Sequence, residues 1–295
     1  MVRAVTPPGR EKTQMIAAVD LNSDMGESFG PYTLGQDEAL LDWVSSANVA
    51  CGFHAGDPRT MGETVALAQE KGVAVGAHPS FPDLVGFGRR DMVMTPDEVS
   101  TDLLYQLGAL DAFCRSAGTP LRHIKPHGAL YNRIAVDGAL ARAVAQTVAI
   151  YRRDLIIVGL PNSAIERAAA AAGVAFAREV FADRAYNADG TLVSRRIAGA
   201  MITDPTQVAR RAVRMTLRGK VATLTGGEID IQADTICIHG DAPGAVELAR
   251  TVRGALEANG IAVLPLSDVL ELRVKAATQG QAALARPSSA EGLRG

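Results

Sequence analysis

One recurrence constrains the fold more than any other feature of this 295-residue chain: short apolar runs end, one after another, in a tight polar cluster closed by Gly or Pro. The clusters are Asp20-Leu-Asn22-Ser-Asp24-Met-Gly26-Glu27, Cys51-Gly-Phe-His54-Ala-Gly-Asp57, His78-Pro79-Ser80, Lys125-Pro-His127-Gly128-Ala-Leu-Tyr131-Asn132 and Ile238-His239-Gly240-Asp241. Four of the five histidines, His54, His78, His127 and His239, follow an apolar run in this way. A barrel of parallel strands gathers all its strand ends on one face, where active sites are built. Scattered loops would not show this regularity, so the pattern reads as an enzyme.

The apolar runs are Ile16–Leu21, Asn48–Phe53, Val73–Ala77, Leu121–Lys125, Leu155–Leu160, Val174–Val180 and Thr235–Ile238, with Ile261–Leu266 as a candidate eighth. Short apolar runs bounded by Gly and Pro suit strands covered on both faces. Helical segments are expected near Asp37–Ser45, Pro58–Lys71, Pro96–Ala117, Ala139–Arg152, Ser163–Ala172, Pro205–Arg218 and Gly244–Ala258. Thr95-Pro96-Asp97-Glu98 and Asp204-Pro205-Thr206-Gln207 each supply an N-cap, a first-turn Pro and an acid or amide three residues on. Gly72, Gly118, Gly173 and Gly260 stand where helices should stop. Seven or eight strand–helix repeats predict an α/β fold closed as a barrel over residues 15–272. An open doubly wound sheet is the alternative, weakened by the lack of a GxGxxG after the first strand. Thr223–Ala233, with Gly226-Gly227 and the alternating Glu228–Gln232, is read as an extra hairpin or an excursion before the last catalytic strand. Residues 1–14 are read as a disordered extension, and 273–295 as a disordered tail.

Composition narrows the function. A formal net charge of -2 offers no general attraction to nucleic acid or to an anionic membrane, so neither is expected as a partner. No run approaches the ~18 apolar residues of a membrane span, and residues 1–14 do not resemble a signal peptide. Three widely spaced cysteines form no metal or redox motif and suit a reducing cytoplasm. Small-molecule chemistry remains.

Alternation along the first strand puts Asp20, Asn22 and Asp24 on one face, where three polar groups need charged partners or a metal. Capping of a loop or helix is the plainer reading of Asp24 and Glu27. Histidines at four separate strand ends suit proton transfer near neutral pH. Asp24, His54, His78 and His239 are candidate ligands of a divalent metal, although no HxxxH or HExxH spacing supports them. His123, near a strand start, is read as structural. Lys125 projects inward and needs an anionic substrate or a carboxylate, Asp20 or Asp24 being the nearest in pattern. After the sixth strand, Arg184 and Arg195 form a potential fork for a carboxylate or phosphate. A solvated charged loop is the plainer account of that block. Cys51 is read as a small buried thiol rather than a nucleophile.

These motifs, with Asn48-Val-Ala-Cys-Gly-Phe-His-Ala-Gly-Asp57, Gly76-Ala-His-Pro-Ser-Phe-Pro-Asp83 and Phe181-Ala-Asp-Arg-Ala-Tyr186, resemble the LamB/YcsF family over about residues 15–270. The resemblance implies a TIM-like, seven-stranded barrel related to polysaccharide deacetylases. It implies ATP-dependent opening of 5-oxoproline to glutamate together with two partner subunits. On that reading Asp20, Asp24, Glu27, His54, His78, Lys125, His127 and His239 are catalytic candidates. Asn22, Asn48, Tyr131, Asp183, Arg184, Tyr186 and Arg195 are substrate-binding candidates. Among them, Asp24, Glu27 or His54 would serve as base, Lys125 and His127 would meet phosphate, and Arg184 would hold a carboxylate. The chain has no GxxxxGK[ST] loop, so ATP is expected to be used mainly through the partners, with 5-oxoproline or its phosphorylated form reaching this barrel. A homodimer is left open. Two other functions stay open as well: a stand-alone metal-dependent amide or carbohydrate deacetylase, and a non-catalytic binding or regulatory subunit.

Overall fold

Each apolar run becomes a strand whose odd and even residues meet different surroundings. The computed structural model describes residues 17–240 and 244–284. The chain begins β1 (Ala18–Met25), α1 (Asp37–Leu40), β2 (Ser46–Ala50), α2 (Pro58–Glu70), β3 (Ala74–His78), α3 (Pro96–Ala117), β4 (Leu121–Ile124) and α4 (Gly128–Val136). It continues α5 (Gly138–Tyr151), β5 (Ile156–Gly159), α6 (Ala164–Ala172), β6 (Ala175–Val180), α7 (Pro205–Arg218), β7 (Lys220–Ala222) and β8 (Glu228–Asp230). It ends β9 (Thr235–Cys237), α8 (Ala245–Ala258), β10 (Ala262–Val263) and α9 (Leu266–Leu284).

The first six strands pair in order, and β6 pairs with β9, which returns to β1. Every pairing is parallel, so a seven-stranded barrel closes at the β1–β9 seam, where Asp20 faces Thr235 and Asn22 faces Cys237. Closure, not an open sheet, is the outcome. β10 pairs with Ala18 and Val19 at the start of β1 and is not a stave of the barrel.

Outward-facing Val19, Leu21, Ala47, Val49, Val75, Ile124, Ile157 and Ile236 join one large apolar core. At about 25 cal/mol per Å² of apolar area removed from water, this layer is the main stabilising term. The other face carries Asp20, Asn22, Asp24, Ser46, Asn48, His123, Lys125, Glu179 and Thr235, so the barrel interior is largely polar. Leu266, at the start of α9, packs with Ile156, Val158 and Ala177 as a small separate apolar cluster.

Caps follow the sequence signals. Thr95 and Glu98 complete a reciprocal capping box on α3, and Asp57 accepts from the Arg59 and Thr60 amides on α2. Left-handed Gly118 and Gly173 end α3 and α6. The antiparallel β7–β8 pair is the expected hairpin.

Several boundaries differ from expectation. β1 reaches Met25, because the inward polar residues of its second half are paired inside the barrel and need no turn there. α1 is one turn, not nine residues. α4 follows His127 directly, a helix hidden by reading Lys125–Asn132 as loop. α9 covers residues 273–284 of the stretch that was expected to lack order, and Arg273 is paired with buried Asp234 at 2.5 Å. Residues 1–16, 241–243 and 285–295 lie outside the described residues, and with them the N-terminal extension and Asp241. Among the described residues no single helix is long and apolar enough to cross a membrane.

Candidate active site

The polar interior is layered along β1. In the lowest layer Asp20 is fully buried and accepts hydroxyl hydrogen bonds from Ser45 and Ser46 (2.7 Å each) and from Thr235 (2.5 Å). Burial outweighs these bonds and pushes its carboxyl up to about 6. One layer up, Asn22 donates to Glu179 (3.1 Å) and Thr235 (2.6 Å), while Asn48 donates to Asn22 Oδ1 (2.8 Å) and Asp24 Oδ1 (2.9 Å). His123 Nε2 lies 2.7 Å from Asn48 Oδ1. Gly76 gives this imidazole its space, since a Cβ there would sit 2.1 Å from His123 Nε2.

Above these lies Lys125, 4% exposed. Its ammonium lies within hydrogen-bonding distance of Asp24 Oδ1 (2.9 Å), Glu179 Oε1 (2.9 Å), Asn22 Oδ1 (3.1 Å) and Cys237 Sγ (3.2 Å). Burial acts to lower its pKa, but Asp24 and Glu179 carry it well above the ordinary value. Glu179 also accepts from the Tyr131 hydroxyl at 2.7 Å. Burial alone would raise Asp24, yet His78, Lys125 and His127 hold it well below the usual carboxylate range. Asp24 is therefore anionic and Lys125 cationic.

Beside Asp24 stand three imidazoles. His78 Nε2 is 3.3 Å from Asp24 Oδ2 and 2.9 Å from His127 Nδ1. His54 stacks on His127 with ring centroids 3.9 Å apart, and its Nε2 is 3.3 Å from Glu27 Oε1. Burial, reinforced by the neighbouring imidazoles, keeps His54 well below the ordinary histidine value and His127 at about 3. Backbone carbonyls orient two rings: His78 Nδ1 donates to Lys125 O (2.6 Å) and His127 Nε2 to Phe87 O (2.9 Å). The loop carrying Phe87 is tied down by Asp83, which accepts from the Gly86 amide (2.9 Å) and Arg90 Nε (2.8 Å). Phe87 itself sits at φ 55°, a conformation unfavourable for a bulky residue, which aims its carbonyl at His127. Gly128, at φ 57°, lets the chain pass Gly88, whose carbonyl would be 2.4 Å from a Cβ.

Across the mouth, the segment after β6 forms an opposing wall. His239 Nδ1 lies 2.7 Å from Asp183 Oδ2, and His239 Nε2 lies 3.0 Å from Arg195. The His239 bond and charge keep Asp183 below its ordinary value against the upward push of burial. Arg184 donates to Val193 O at 2.7 Å, and its Nε is buried without a hydrogen-bond partner. Burial, and then Arg195, lower its pKa. Between the two walls lies a cavity of about 420 Å³ lined by Asp24, His78, Lys125, His127, Tyr131, Arg184, Arg195 and His239, among others. An anion with a carboxylate at one end fits its charge: guanidinium groups on one side, the Lys125–Asp24 pair and imidazoles on the other.

The expected convergence is therefore largely present, with corrections. Asp20 does not reach the cavity; it is enclosed by three hydroxyls at the strand starts. Asn22 and Asn48 hold Lys125 and Asp24 from beneath instead of lining the space. Tyr186 is fully buried and accepts from the Phe181 amide at 2.9 Å, which makes it a brace for the loop. His239 stands on the opposite wall of the same cavity, so of the candidate metal ligands Asp24, His54, His78 and His239 only His54 and His78 stay grouped, and Glu27 and His127 join them. Cys51 is a buried thiol pushed up to about 12, as expected of an inert one. Glu179, Cys237, Phe87 and Arg89 escape the sequence reading. Glu179 is the last residue but one of β6, and inward alternation with Ala177 is the signal that could have found it.

A family model described as the LamB/YcsF family matches residues 19–271. A relative from Symbiobacterium thermophilum, named as one of the subunits of 5-oxoprolinase, is 52% identical over 248 residues, covering 84% of this chain and 95% of the relative. Its counterpart of the same name from Pyrococcus horikoshii is 50% identical over 252 residues, covering 85% and 99%. The crystal structure of a lactam utilization protein from Thermus thermophilus superposes with a TM-score of 0.81 at 52% identity, covering 84% of this chain and 99% of that one. The chain belongs to the LamB/YcsF family.

Proposed function

We propose that this chain is the barrel subunit of an ATP-dependent 5-oxoprolinase, which opens 5-oxo-L-proline to L-glutamate with ATP hydrolysed to ADP and phosphate. The observation that carries the reading is the cavity itself, where Arg184 and Arg195 face Lys125 and Asp24 across one small space. The relatives' name, at 50–53% identity over most of both chains, supports the same substrate. The ring carboxylate binds the guanidinium wall, as bidentate geometry favours. The lactam oxygen then points toward Lys125, which stabilises charge there or on a phosphate placed on it, whereas His127, read from the sequence as a second group for that role, has its one N–H engaged by Phe87 O. Asp24 lines the cavity and is the first candidate to direct water at the carbonyl carbon, with Glu27 and His54 behind it as the other candidate bases.

An unstrained five-membered lactam resists water, so ATP serves to activate its oxygen. With no GxxxxGK[ST] loop in this sequence, phosphorylation is assigned to two partner subunits, and this barrel receives 5-oxoproline or its phosphorylated form. The complex is placed in the cytoplasm, and self-association as a homodimer is compatible with it. Purified chain alone should show negligible 5-oxoproline-dependent ATP hydrolysis and gain it when candidate partners are added. Robust turnover by the chain alone would overturn the division of labour. The imidazole cluster favours one second reading, a stand-alone metal-dependent deacetylase, which amide hydrolysis without ATP would reveal.

A further inference from the structure

His78 and His127 present an electrostatic problem that the protein alone does not solve. His78 Nδ1 is 2.6 Å from the Lys125 carbonyl oxygen and His127 Nε2 is 2.9 Å from the Phe87 carbonyl oxygen. A carbonyl can only accept, so each of these nitrogens carries the ring proton. In neutral rings the other nitrogens, His78 Nε2 and His127 Nδ1, are then bare lone pairs, and they face each other at 2.9 Å. Carboxylate oxygens close in on the same point. Asp24 Oδ2 is 3.3 Å from His78 Nε2, and Glu27 Oε1 is 3.7 Å from His127 Nδ1 and 3.3 Å from His54 Nε2. One ligand atom each from Glu27, His54, His78 and His127 lies within 4.8 Å of the others. A shared proton would bridge a single pair of these atoms. A cation with several coordination positions satisfies all of them.

We propose that Glu27, His54, His78 and His127 bind one divalent first-row transition-metal ion at the edge of the cavity. Three imidazoles with one carboxylate are a donor set for zinc, cobalt, nickel, iron or manganese rather than for magnesium or calcium, which prefer all-oxygen shells. A tetrahedral shell with bonds of about 2.0–2.1 Å has edges near 3.3 Å, comparable to the closer donor separations here. The two carbonyl-anchored imidazoles match the way metal-bound histidines are oriented through their second nitrogen. The three histidines are at most 6% exposed, yet His78 and His127 also line the cavity, so the site opens toward substrate on that side. Such an ion would supply Lewis acidity next to Lys125. The site stands apart from the 5-oxoproline reading, because metal content is measured without any substrate.

The test uses full-length, tag-free protein, stripped with chelator and dialysed against zinc, cobalt or manganese. Elemental analysis should find close to one ion per chain for at least one metal. Reloading should raise the melting temperature, and the cobalt form should show visible ligand-field absorption. His78→Ala and His127→Ala should each lower metal affinity at least tenfold. Glu27→Gln is the milder variant if either fails to fold, and should also weaken binding. His239→Asn should keep full stoichiometry, since it stands on the other wall. Failure of all three metals to bind, or binding that survives both histidine replacements in folded protein, would overturn the proposal. So would metal-free protein whose His78 and His127 share a proton by imidazole nitrogen NMR and which then takes up no ion.

Discussion

Lys125→Met is the perturbation that most directly probes the electrostatic centre. In the wild type, one ammonium answers two carboxylates, Asp24 Oδ1 and Glu179 Oε1, each at 2.9 Å, within an interior where Lys125 is 4% and Glu179 0% exposed. Met fills nearly the same volume, so the packing cost is small. The two carboxylates are left facing each other with Asn48, Asn22 and Tyr131 as their remaining donors. Breaking a buried ion pair from one side costs about 3–5 kcal/mol. For a domain of this size that is a fall in melting temperature of roughly 6–12 °C. Adding Glu179→Gln removes one of the stranded charges. The double variant should then recover part of the loss, with a coupling energy of about 1–3 kcal/mol in a double-mutant cycle. The sign of the pH response follows. Without Lys125 the Asp24 carboxylate loses one of the charges that offset its burial, so its folded pKa rises. The deficit should therefore be greatest near neutral pH and shrink as pH falls. Calorimetry and urea melts of the four proteins measure this. A Lys125→Met protein within about 0.5 kcal/mol of wild type, or strict additivity with Glu179→Gln, would refute the picture.

Asp20 gives a second pH test: its carboxyl is pushed from 3.8 to about 6 by burial, so its stabilising contribution is complete below 3.8 and lost as pH rises through about 6. The loss amounts to roughly 3 kcal/mol, and Asp20→Asn should remove that slope from urea midpoints measured between those limits. Gly76→Ala should displace the His123 ring from Asn48, lowering stability by about 2–4 kcal/mol, with turnover falling as Asn48 loses its hold on Asp24; unchanged melting would sink this reading. Arg195→Gln, at an exposed position, should raise the KM for 5-oxoproline about tenfold to a hundredfold by removing one charge-assisted hydrogen bond, while the melting temperature stays close to wild type. An unaltered KM would remove Arg195 from the carboxylate site.

Strand ends were legible because two periodicities coincided there: apolar residues kept alternate positions for the helix-facing core, and the polar ones fell between them. Asp24, His54, His78, Lys125 and His127 could thus be placed at one mouth from the sequence. The depth of each residue along its strand could not. Asp20 and Asp24 share a face of β1, but one is enclosed by Ser45, Ser46 and Thr235 while the other meets the cavity, a difference set by strand register. Glu179 was overlooked for a related reason: its alternation with Ala177 marks the inward face, but nothing in Arg178-Glu179-Val180 indicates how far along the barrel it sits. His239 was grouped with the wrong histidines because strand order places β9 beside β1 and β6, and the loop after β6 captures it through Asp183. α4 was hidden because its apolar face begins inside a motif read for chemistry. α9 was missed because an Ala-rich stretch of low apolar periodicity can still form helix, Ala being the strongest helix former.

Asp24 joins the two halves of the site, and its two oxygens do different things. Oδ1 is committed, receiving hydrogen bonds from Lys125 and from Asn48, each at 2.9 Å. Oδ2 faces His78 at 3.3 Å and the cavity beyond. A carboxylate fixed at one oxygen cannot rotate away, so its free oxygen holds a constant position relative to the histidines. The interior layers beneath serve this placement: His123 steadies Asn48, Asn48 bridges Asn22 and Asp24, and Asn22 reaches Glu179 and Thr235 across the barrel. Asp24→Asn tests the idea at nearly constant shape. The amide oxygen can still accept from Asn48 and Lys125 and the amide nitrogen can donate to the bare His78 Nε2, so the substitution removes the negative charge and the free acceptor oxygen while keeping the shape. Turnover should fall by at least two orders of magnitude, about 3 kcal/mol of lost transition-state stabilisation, while the protein remains folded. Near-normal turnover by a folded Asp24→Asn protein would mean that the cavity works through its arginine wall and Lys125 without this carboxylate.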